Sequence, residues 1–541
     1  MTSRSPTSLS RLKLQMLRQT SWILFSFLLV LTGARLVWAA QAELLPEEAY
    51  YYLWAQHPNV GYYTNGPGIA FSVLAGTSLF GRCELGIRLL SPLLALGTSG
   101  LLYFLGRRLY RERIAFWLVI LLNLTPFFNL GALFMTTESL SLFFWTAAMV
   151  CFWLALQENA NRLWFWALTG FLIGCGFLSN YAQALQLISV PAFLITAPKH
   201  RREFRRPGLY VLFGVFCLFL MSPLIWNLQH DWIGLVPLSS EVGSRAHLAA
   251  RLSAFSLFVG NQLIVYSPLF LVALAAALIT SLPRVFRSSK VAFLLSFSWP
   301  VLLAGLIVVI TRLTQPSWLV LGFVSLTLLA VAWWFDTVPQ NRLTHIIGVI
   351  AMVIAGGSSL LALNTDFPRA VGINIPYSSD PTAVGRGWKT AADEIERFRT
   401  SFEQKLGEPI FLIGNRYQTA AIVAFYLPNP KAEDPGHPPV YIPESQNIEN
   451  EFSFWPRYDE FVEPADKSEI NSLFSEQAGV NPFINRTALY ITDSSEETPP
   501  QNLQNSFTRW ELVDHFQVNR RNEPLHEFRI FACYQYQTLP L

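Results

Sequence analysis

Residues 21–68 read SWILFSFLLVLTGARLVWAAQAELLPEEAYYYLWAQHPNVGYYTNGPG, an apolar run that leads directly into a loop rich in acidic and aromatic side chains. The apolar run, residues 21–40, is long enough to cross a bilayer, because a membrane helix needs about 20 such residues. Its core is longer than that of a cleaved signal peptide, and the Ala-Ala-Gln that follows is only a weak cleavage site. The sequence therefore predicts an uncleaved first membrane helix behind a short cytoplasmic segment, residues 1–20.

The composition of the whole chain is that of a membrane protein. Of its 541 residues, 52% are hydrophobic and 14% are charged, whereas an average soluble domain carries about 25% charged residues. The mean hydropathy is +0.34, and the net charge of +3 gives no reason to expect a nucleic-acid partner. Ten further apolar segments predict about 11 membrane helices in total, and they lie at 85–105, 114–131, 139–156, 163–178, 182–197, 209–226, 253–280, 291–310, 317–335 and 345–363.

The distribution of lysine and arginine among the short loops predicts the orientation. Strongly basic loops alternate with loops that hold few basic residues, and they lie at 107–113, 157–162, 199–206, 283–290 and 336–345. Basic loops stay in the cytoplasm, so the N-terminus is expected inside, and the loop at 41–84 and everything after the last helix are expected outside. This pattern predicts a multi-pass membrane protein with an extracytoplasmic C-terminal domain.

The composition changes near Asp366, where charge rises, prolines cluster and long apolar runs end. The segments PIFLIG (409–414), PVYIP, ALYIT and EFRIFACYQY are typical of strands, and YQTAAIVAFYL (417–427) is typical of a helix. We therefore predict an α-helical polytopic membrane domain over residues 21–364. A small extracytoplasmic α/β domain is expected over residues 365–541.

Two acidic motifs are expected at the outer ends of membrane helices. In PEEAYYYLWAQH, Glu47 and Tyr51 are four residues apart and share one face if the segment is a helix. The turn-rich NVGYYTNGPG and a second short apolar segment follow, so two interfacial helices are predicted within 41–84. In LFMTTESLSLFFW, Glu138 stands at an expected helix start, where the helix dipole alone also favours an acid. The functional interpretation is that Glu138 meets the first acidic loop in one outer pocket.

The segments PEEAYYYLWAQH, GYYTNGPG and MTTES, in this order along the chain, resemble motifs of the GT-C superfamily of polytopic glycosyltransferases. The resemblance is closest to the protein-mannosyltransferase-like and aminoarabinose-transferase-like families, and it extends over most of the chain. Those families usually have aspartate where this chain has Glu47 and Glu138, and many members have lysine where it has Asn180. The chain also has Thr64-Asn65-Gly66 in place of the Asp-His-Pro stretch of the family.

The resemblance implies an enzyme that moves a sugar from a polyprenyl-phosphate donor to an acceptor on the outer face. The acceptor is a hydroxyl or amine of a lipid, a glycan or a protein. A carboxylate must accept the proton of that group as the anomeric carbon is attacked. Glu47 is the expected base, with Glu48 in support and Glu138 as the third catalytic candidate.

Cations must hold the phosphate of the donor and stabilise it as the leaving group. The basic residues expected on the outer side for this role are Arg88, Arg245 and Arg82. For Arg88 an alternative explanation is that its side chain snorkels from a helix end to water. The side chains expected to line the sugar pocket are His57, Tyr62, Tyr63 and Asn65.

Two other functions stay open at the level of sequence. The Glu-for-Asp replacements are also what an inactive scaffold would show, because a small misplacement of a catalytic group can lower a rate about 100-fold. A lipid or sugar transporter would carry its charges near the middle of the membrane, whereas these acids lie at the outer ends of helices. The sequence has no nucleotide-binding motif and no cysteine cluster that would hold a metal. No cofactor is therefore predicted, and the use of a divalent metal stays open.

Overall fold

A computed structural model describes residues 8–157, 162–235, 248–312, 316–363, 382–433, 436–445, 447–459, 463–464, 479–521 and 523–537, together with Asp366, Arg369, Tyr377 and Asp380. The contacts divide the chain into two compact units. The membrane unit consists of Met1–Gln41 and Asn59–Asn364, and the C-terminal unit consists of Ala42–Pro58 and Thr365–Leu541.

The described helices are, in chain order, α1 (Ser8–Gln41), α2 (Pro46–Gln56), α3 (Gly68–Phe80), α4 (Glu84–Arg88), α5 (Leu90–Leu109), α6 (Glu112–Leu124), α7 (Pro126–Leu133), α8 (Thr137–Ala155), α9 (Arg162–Phe177), α10 (Gln186–Thr196), α11 (Pro207–Gln229), α12 (Leu248–Tyr266), α13 (Pro268–Ser281), α14 (Ser289–Ser296), α15 (Trp299–Arg312), α16 (Val320–Asp336), α17 (Arg342–Leu363), α18 (Trp388–Leu406), α19 (Tyr417–Tyr426) and α20 (Gln501–Ser506). The strands are β1 (Phe411–Gly414), β2 (Glu463–Pro464), β3 (Gly479–Val480), β4 (Ala488–Thr492), β5 (Phe507–Arg520) and β6 (Glu523–Tyr536).

The membrane unit is built from long apolar helices. Within the described residues, 7 helices are long and apolar enough to cross a membrane, and the number rises to 10 if each of 3 bent helix pairs counts as one span. About 11 spans are expected from the hydropathy pattern. The structure therefore confirms an α-helical polytopic membrane protein, and the two counts differ because several apolar runs are bent or short.

Proline explains the bends. α6 and α7 meet at 70°, and the second helix begins at Pro126. The segment 181–196 meets the short turn that starts at Pro198 at 120°, and α12 meets α13, which begins at Pro268, at 107°. Proline can start a helix but cannot continue one, because it lacks the N–H donor and its ring clashes with the preceding turn. The runs 114–131 and 253–280, each predicted as one span, are bent for this reason.

The core of the membrane unit lies around α16. Residues 320–332 of this helix are all buried, as expected for a helix that is hydrophobic on every side. An aromatic cluster packs nearby, in which the ring of Phe152 lies 5.4–6.1 Å from the rings of Trp166, Phe193, Phe293 and Phe297. This packing gives the unit a core of interlocked side chains.

The C-terminal unit is an α/β domain, as predicted. Its four-stranded sheet has the order β1-β4-β6-β5. β1 and β4 are parallel, with Phe411 opposite Ala488, and β6 runs antiparallel to β4 and to β5. The predicted strand PVYIP is reduced to one parallel bridge between Ile413 and Tyr441. The long strand β5 was not predicted, because its exposed face carries charged residues at an edge of the sheet.

The helix that carries the first acidic motif packs within the C-terminal unit. The Leu44 N–H donates a hydrogen bond of 2.8 Å to the Tyr426 hydroxyl. The Trp388 N–H, at the start of α18, donates one of 2.8 Å to a carboxylate oxygen of Glu43. The contacts thus group Ala42–Pro58 with residues after 364, whereas the sequence interpretation placed all of 41–84 with the membrane domain.

Candidate active site

The two adjacent acids of the first motif have different surroundings. Pro46 begins α2, and both acids stand in its first turn, where the helix dipole favours negative charge. Glu48 is buried, with 1% of its surface exposed, and one of its oxygens accepts a hydrogen bond of 3.0 Å from the Leu45 N–H. Glu47 is exposed. Glu48 therefore caps its own helix, and Glu47 is the acid that a substrate could reach.

Glu47 lies beside an aromatic wall of the C-terminal unit. The pKa of Tyr417 is raised, mainly by burial and further by the negative charge of Glu47. The ring of Tyr417 is 4.7 Å from the ring of Tyr50, one helical turn after Glu47. The aromatic residues of the motif therefore hold α2 against this unit and fix the direction in which its first turn presents Glu47.

His57 ends the same helix. Its Nδ1 lies 2.9 Å from the Leu53 carbonyl oxygen, and its Nε2 lies 2.9 Å from the Gly436 carbonyl oxygen. The ring stacks on Trp455 at a centroid distance of 4.6 Å. These contacts attach the end of α2 to the unit, and the pocket-lining role expected for His57 stays a prediction.

Arg88, in the membrane unit, is enclosed by aromatic rings. Its guanidinium lies 5.5 Å from the ring centre of Trp38 and 5.1 Å from that of Phe134, distances at which a cation is attracted to a ring face. Its Nη1 also donates to the Ala39 carbonyl at 3.5 Å. The side chain has 0% exposure. Snorkelling to water is therefore wrong as an explanation of this residue.

The other two basic candidates are placed differently. Arg82 is exposed in the turn between α3 and α4. Arg245 lies outside the described residues, so its expected role stays a prediction. Of the three candidates, Arg82 is the one that the structure shows at the surface.

Glu138 stands in the first turn of α8, as expected. The helix is capped by Thr136, whose hydroxyl accepts a hydrogen bond of 3.3 Å from the Ser139 N–H. The Ser317 hydroxyl donates a hydrogen bond to a carboxylate oxygen of Glu138. The carboxylate is half-buried and lines a small cavity of about 20 Å³, together with Thr98. Thr136 is therefore the N-cap of α8, and Glu138 stands in the first turn, where the helix dipole also favours an acid.

The tyrosine-rich turn of the motif is held by its own backbone. The Tyr62 N–H donates a hydrogen bond of 3.0 Å to the Asn65 carbonyl, and both Tyr62 and Tyr63 are buried. A Cβ at Gly66 would come within 2.4 Å of the Leu178 carbonyl oxygen, so only glycine fits this close approach. The turn is thus packed on the segment just before Asn180.

Asn180, the residue that replaces a family lysine, is buried and structural. Its side-chain oxygen accepts a hydrogen bond of 3.0 Å from the Ala182 N–H, and this bond starts the short helical turn Tyr181–Leu185. Asparagine is well suited to this position because its side chain mimics a backbone acceptor.

The predicted residues divide between the two units. Glu47, Glu48 and His57 belong to the C-terminal unit, and the membrane unit contains Arg82, Arg88, Glu138, Tyr62, Tyr63 and Asn65. Among the described residues, no group of three or more His, Cys, Asp or Glu side chains is placed to hold a metal ion. The catalytic and binding roles of all these residues stay predictions.

The sequence interpretation overlooked one charged residue in the first membrane helix. Arg35 is buried, and its Nη2 donates a hydrogen bond of 2.6 Å to the Asn129 side-chain oxygen. Asn129 in turn donates to Ser359 at 3.3 Å. A buried charge within a membrane helix is costly and usually functional. The signal was a single arginine inside the apolar run 21–40.

Comparison with known proteins agrees with this architecture. Residues 56–226 match the family profile described as dolichyl-phosphate-mannose-protein mannosyltransferase. The lipid A galacturonosyltransferase RgtD of Rhizobium johnstonii is 26% identical over 415 residues, which covers 76% of this chain and 83% of that protein.

Two crystal structures of ArnT from Cupriavidus metallidurans share the fold. The apo structure has a TM-score of 0.58 and the structure bound to undecaprenyl phosphate has one of 0.59. Both are 16% identical to this chain, and the matches cover 95% of it and 98% of the ArnT chains. The family profile and the curated relative show that the chain is a polytopic membrane glycosyltransferase, and it is similar to the protein-mannosyltransferase-like and aminoarabinose-transferase-like enzymes of the GT-C superfamily.

Proposed function

We propose that the protein transfers a sugar from a polyprenyl-phosphate donor to a hydroxyl or amine of a lipid A-type glycolipid on the outer face of the plasma membrane. The observation that carries the proposal is the 26% identity, over most of both chains, to a transferase that acts on lipid A. The ArnT structure with the same fold holds undecaprenyl phosphate, which supports a lipid-phosphate donor.

Glu47 is assigned as the general base. Its carboxylate is exposed at the start of α2, so it can accept the acceptor proton as the acceptor oxygen or nitrogen attacks the anomeric carbon. The bond between that carbon and the donor phosphate oxygen breaks in the same step, and polyprenyl phosphate leaves. One such displacement inverts the anomeric centre. Glu48, which caps the helix, keeps its neighbour in place and takes no proton itself.

Positive charge near α4 is assigned to the donor phosphate. Arg82 is exposed immediately before this helix, where a lipid phosphate can contact it directly. Arg88 ends the helix in a buried position, and its charge acts on the phosphate with little screening by water. The polyprenyl chain would lie along the apolar helices of the membrane unit.

The proposed orientation follows from the charge of the loops. The basic loops are assigned to the cytoplasm, so the C-terminal unit and Glu47 face the periplasm. A lipid-linked donor suits this side of the membrane, because such a donor does not depend on cytoplasmic nucleotide sugars.

The test compares cells that lack the protein with cells that express it. Mass spectrometry of the polyprenyl-phosphate lipids should show one sugar-linked species that accumulates in the deletion strain. The lipid A fraction should lose a substituent of the same sugar mass, and expression of the wild-type chain should restore it. Unchanged lipid A and an unchanged polyprenyl pool would contradict the proposal.

A second candidate is a catalytically inactive scaffold, which the Glu-for-Asp positions Glu47 and Glu138 favour. The same experiment separates it from the enzyme. If the Glu47→Gln variant complements the deletion strain as fully as wild type does, the result supports the scaffold.

A further inference from the structure

A cavity of about 520 Å³ opens in the C-terminal unit, within the range of about 300–1,000 Å³ found for small-molecule sites. It lies at the carboxyl ends of the parallel strands β1 and β4, where Asn415 and Ser494 are found. On the other side of β1, Ile413 pairs in parallel with Tyr441. Segments that follow β1 in the chain therefore pair with it in parallel on both sides of the strand. In open α/β sheets, such a point of divergence at the carboxyl ends is the usual ligand site.

A buried carboxyl group, that of Glu444, contributes to the wall of this cavity. It lines the cavity, yet only 2% of its surface is exposed. The hydroxyls of Tyr458 and Tyr536 lie beside its carboxyl group and lower its pKa by hydrogen bonding, although among the described residues neither contact reaches full hydrogen-bond geometry. Buried polar groups are normally satisfied, and a carboxyl group offers more acceptor positions than two hydroxyls fill. A ligand in the cavity would complete the hydrogen bonding of Glu444.

The protonation state of Glu444 determines whether it donates or accepts a hydrogen bond. Burial raises the pKa of this carboxyl to about 7. Near neutral pH the group therefore exists in both forms, and it can accept a hydrogen bond from a ligand hydroxyl or donate one to it. A neutral polyhydroxylated ligand suits such a group better than an anion does.

The charges in the cavity argue against a phosphate ligand. Arg416 is paired with Asp493 at 2.5 Å, and Arg457 is paired with Asp459. The lining also contains Glu449. The arginines are thus already neutralised, and the balance of charge in the cavity does not favour an anion.

The rest of the lining combines aromatic rings with planar amides. Tyr417 is the half-buried aromatic member, the rings of Tyr441, Phe452, Tyr458 and Tyr490 are buried, and the amides include Asn415, Asn447 and Asn502. The apolar ring of Tyr417 can cover the C–H surface of a pyranose, and amides and carboxyl groups bind its hydroxyls in pairs. This is the chemistry of a carbohydrate site.

We propose that this cavity binds a pyranose unit of the acceptor glycan, with Glu444 and Asn447 as its polar anchors. That the glycan is the acceptor rests on the proposed function, whereas carbohydrate binding itself does not. Tyr417 lines the cavity and also contacts Tyr50 of the helix that carries Glu47. A glycan bound here is therefore held by the same unit that presents the base.

The test uses the full chain in lipid nanodiscs. Saturation-transfer NMR measures binding of the methyl glycosides of glucose, galactose, mannose and N-acetylglucosamine in the millimolar range. Glu444→Leu removes the buried carboxyl group at similar volume, and Asn447→Ala alters an exposed rim residue that does not threaten folding. Glu497→Leu changes an exposed acid of the same unit outside the cavity and is the matched control.

We expect wild type and Glu497→Leu to bind at least one of these glycosides with equal affinity, and both cavity variants to bind about tenfold more weakly. In a transfer assay, Asn447→Ala should raise the KM for the acceptor and leave the KM for the donor unchanged. No binding of any glycoside to wild type, or equal binding by both cavity variants, would overturn the carbohydrate site. Binding without any transferase activity would overturn the proposed function and leave the site standing.

Discussion

The Tyr50 hydroxyl accepts a hydrogen bond of 2.7 Å from the backbone N–H of Glu451, a residue 401 positions later in the chain. The Tyr50 ring also stacks on Phe452 at a centroid distance of 6.1 Å and an interplanar angle of 4°. The acidic motif near the N-terminus is thereby tied to the loop that forms one wall of the C-terminal cavity. Tyr50 of this motif therefore has a structural role that does not depend on contact with substrate.

The bond between Tyr50 and Glu451 predicts a local effect of Tyr50→Phe. The variant keeps the ring and leaves a buried N–H unsatisfied, which should cost about 1–2 kcal/mol. Hydrogen exchange measured by mass spectrometry should become faster in the peptide that contains Glu451. Tyr50→Ala also removes the ring contacts and should cost about 3–5 kcal/mol. Equal exchange in wild type and Tyr50→Phe would show that the hydroxyl contributes nothing.

The assignment of Glu47 predicts that Glu47→Gln nearly abolishes sugar transfer. Loss of a general base lowers the rate by about 100- to 10,000-fold, while donor binding and thermal stability should persist because the side chain is exposed. Glu394→Gln, at a partly exposed acid of α18, should keep wild-type activity. Full transfer by Glu47→Gln in purified protein would instead make Glu138 the candidate base.

The length of the acid at position 47 gives a separate prediction. Glu47→Asp restores the usual family residue but withdraws the carboxylate by one methylene. If the site is adapted to glutamate, the rate should fall by up to about 100-fold. A rate above that of wild type would instead mark the chain as a relative whose site has lost activity. Single-turnover kinetics measures the chemical step directly.

The buried position of Arg88 predicts that its replacement lowers both thermal stability and donor affinity, and that the two effects can be separated. Arg88→Ala removes the cation between Trp38 and Phe134 and should lower both the apparent melting temperature and the affinity for polyprenyl phosphate, the latter by about 10- to 100-fold. Arg88→Lys keeps the charge and should recover part of the affinity, because a compact ammonium reproduces the charge but not the planar stacking. Unchanged affinity in both variants, with lowered melting temperatures, would restrict Arg88 to packing.

Glu444 predicts a pH dependence of stability in the C-terminal unit. Burial raises its pKa from 4.5 to about 7. The groups around it are Asp459, which adds to the rise, and Tyr536, Tyr458 and Arg457, which oppose it. Because the folded state holds this proton more tightly than the unfolded chain, stability falls as the pH rises from about 4.5 to above 7. The loss should approach about 3 kcal/mol at about pH 8.

Glu444→Gln should remove this dependence, since the amide does not titrate. Its apparent melting temperature should exceed that of wild type above neutral pH and be similar to it near pH 5. The control Glu497→Gln, at an exposed acid, should keep the wild-type profile. Parallel pH profiles for wild type and Glu444→Gln would refute the assignment of the shift to this group.

The local sequence pattern was sufficient to predict the fold class and the domain division of this protein. Hydropathy predicted the polytopic membrane class, the composition change near Asp366 predicted a separate α/β domain, and the strands at 411–414 and 488–492 were visible as short apolar runs. These features are readable because the length of an apolar run and its period depend only on neighbouring residues. The order of the motifs also carried the resemblance to the GT-C superfamily.

Tertiary structure alone decided the surroundings of the candidate residues. Glu47 and Glu48 are adjacent glutamates, and packing buries Glu48 as a helix cap and leaves Glu47 exposed. Arg88 becomes enclosed because Trp38 and Phe134, distant in sequence, meet around it. Glu444 was not singled out at all, because its burial depends on strands and loops that come together only in the fold. Desolvation and long-range contacts depend on which segments become neighbours, and no local pattern of residues records this.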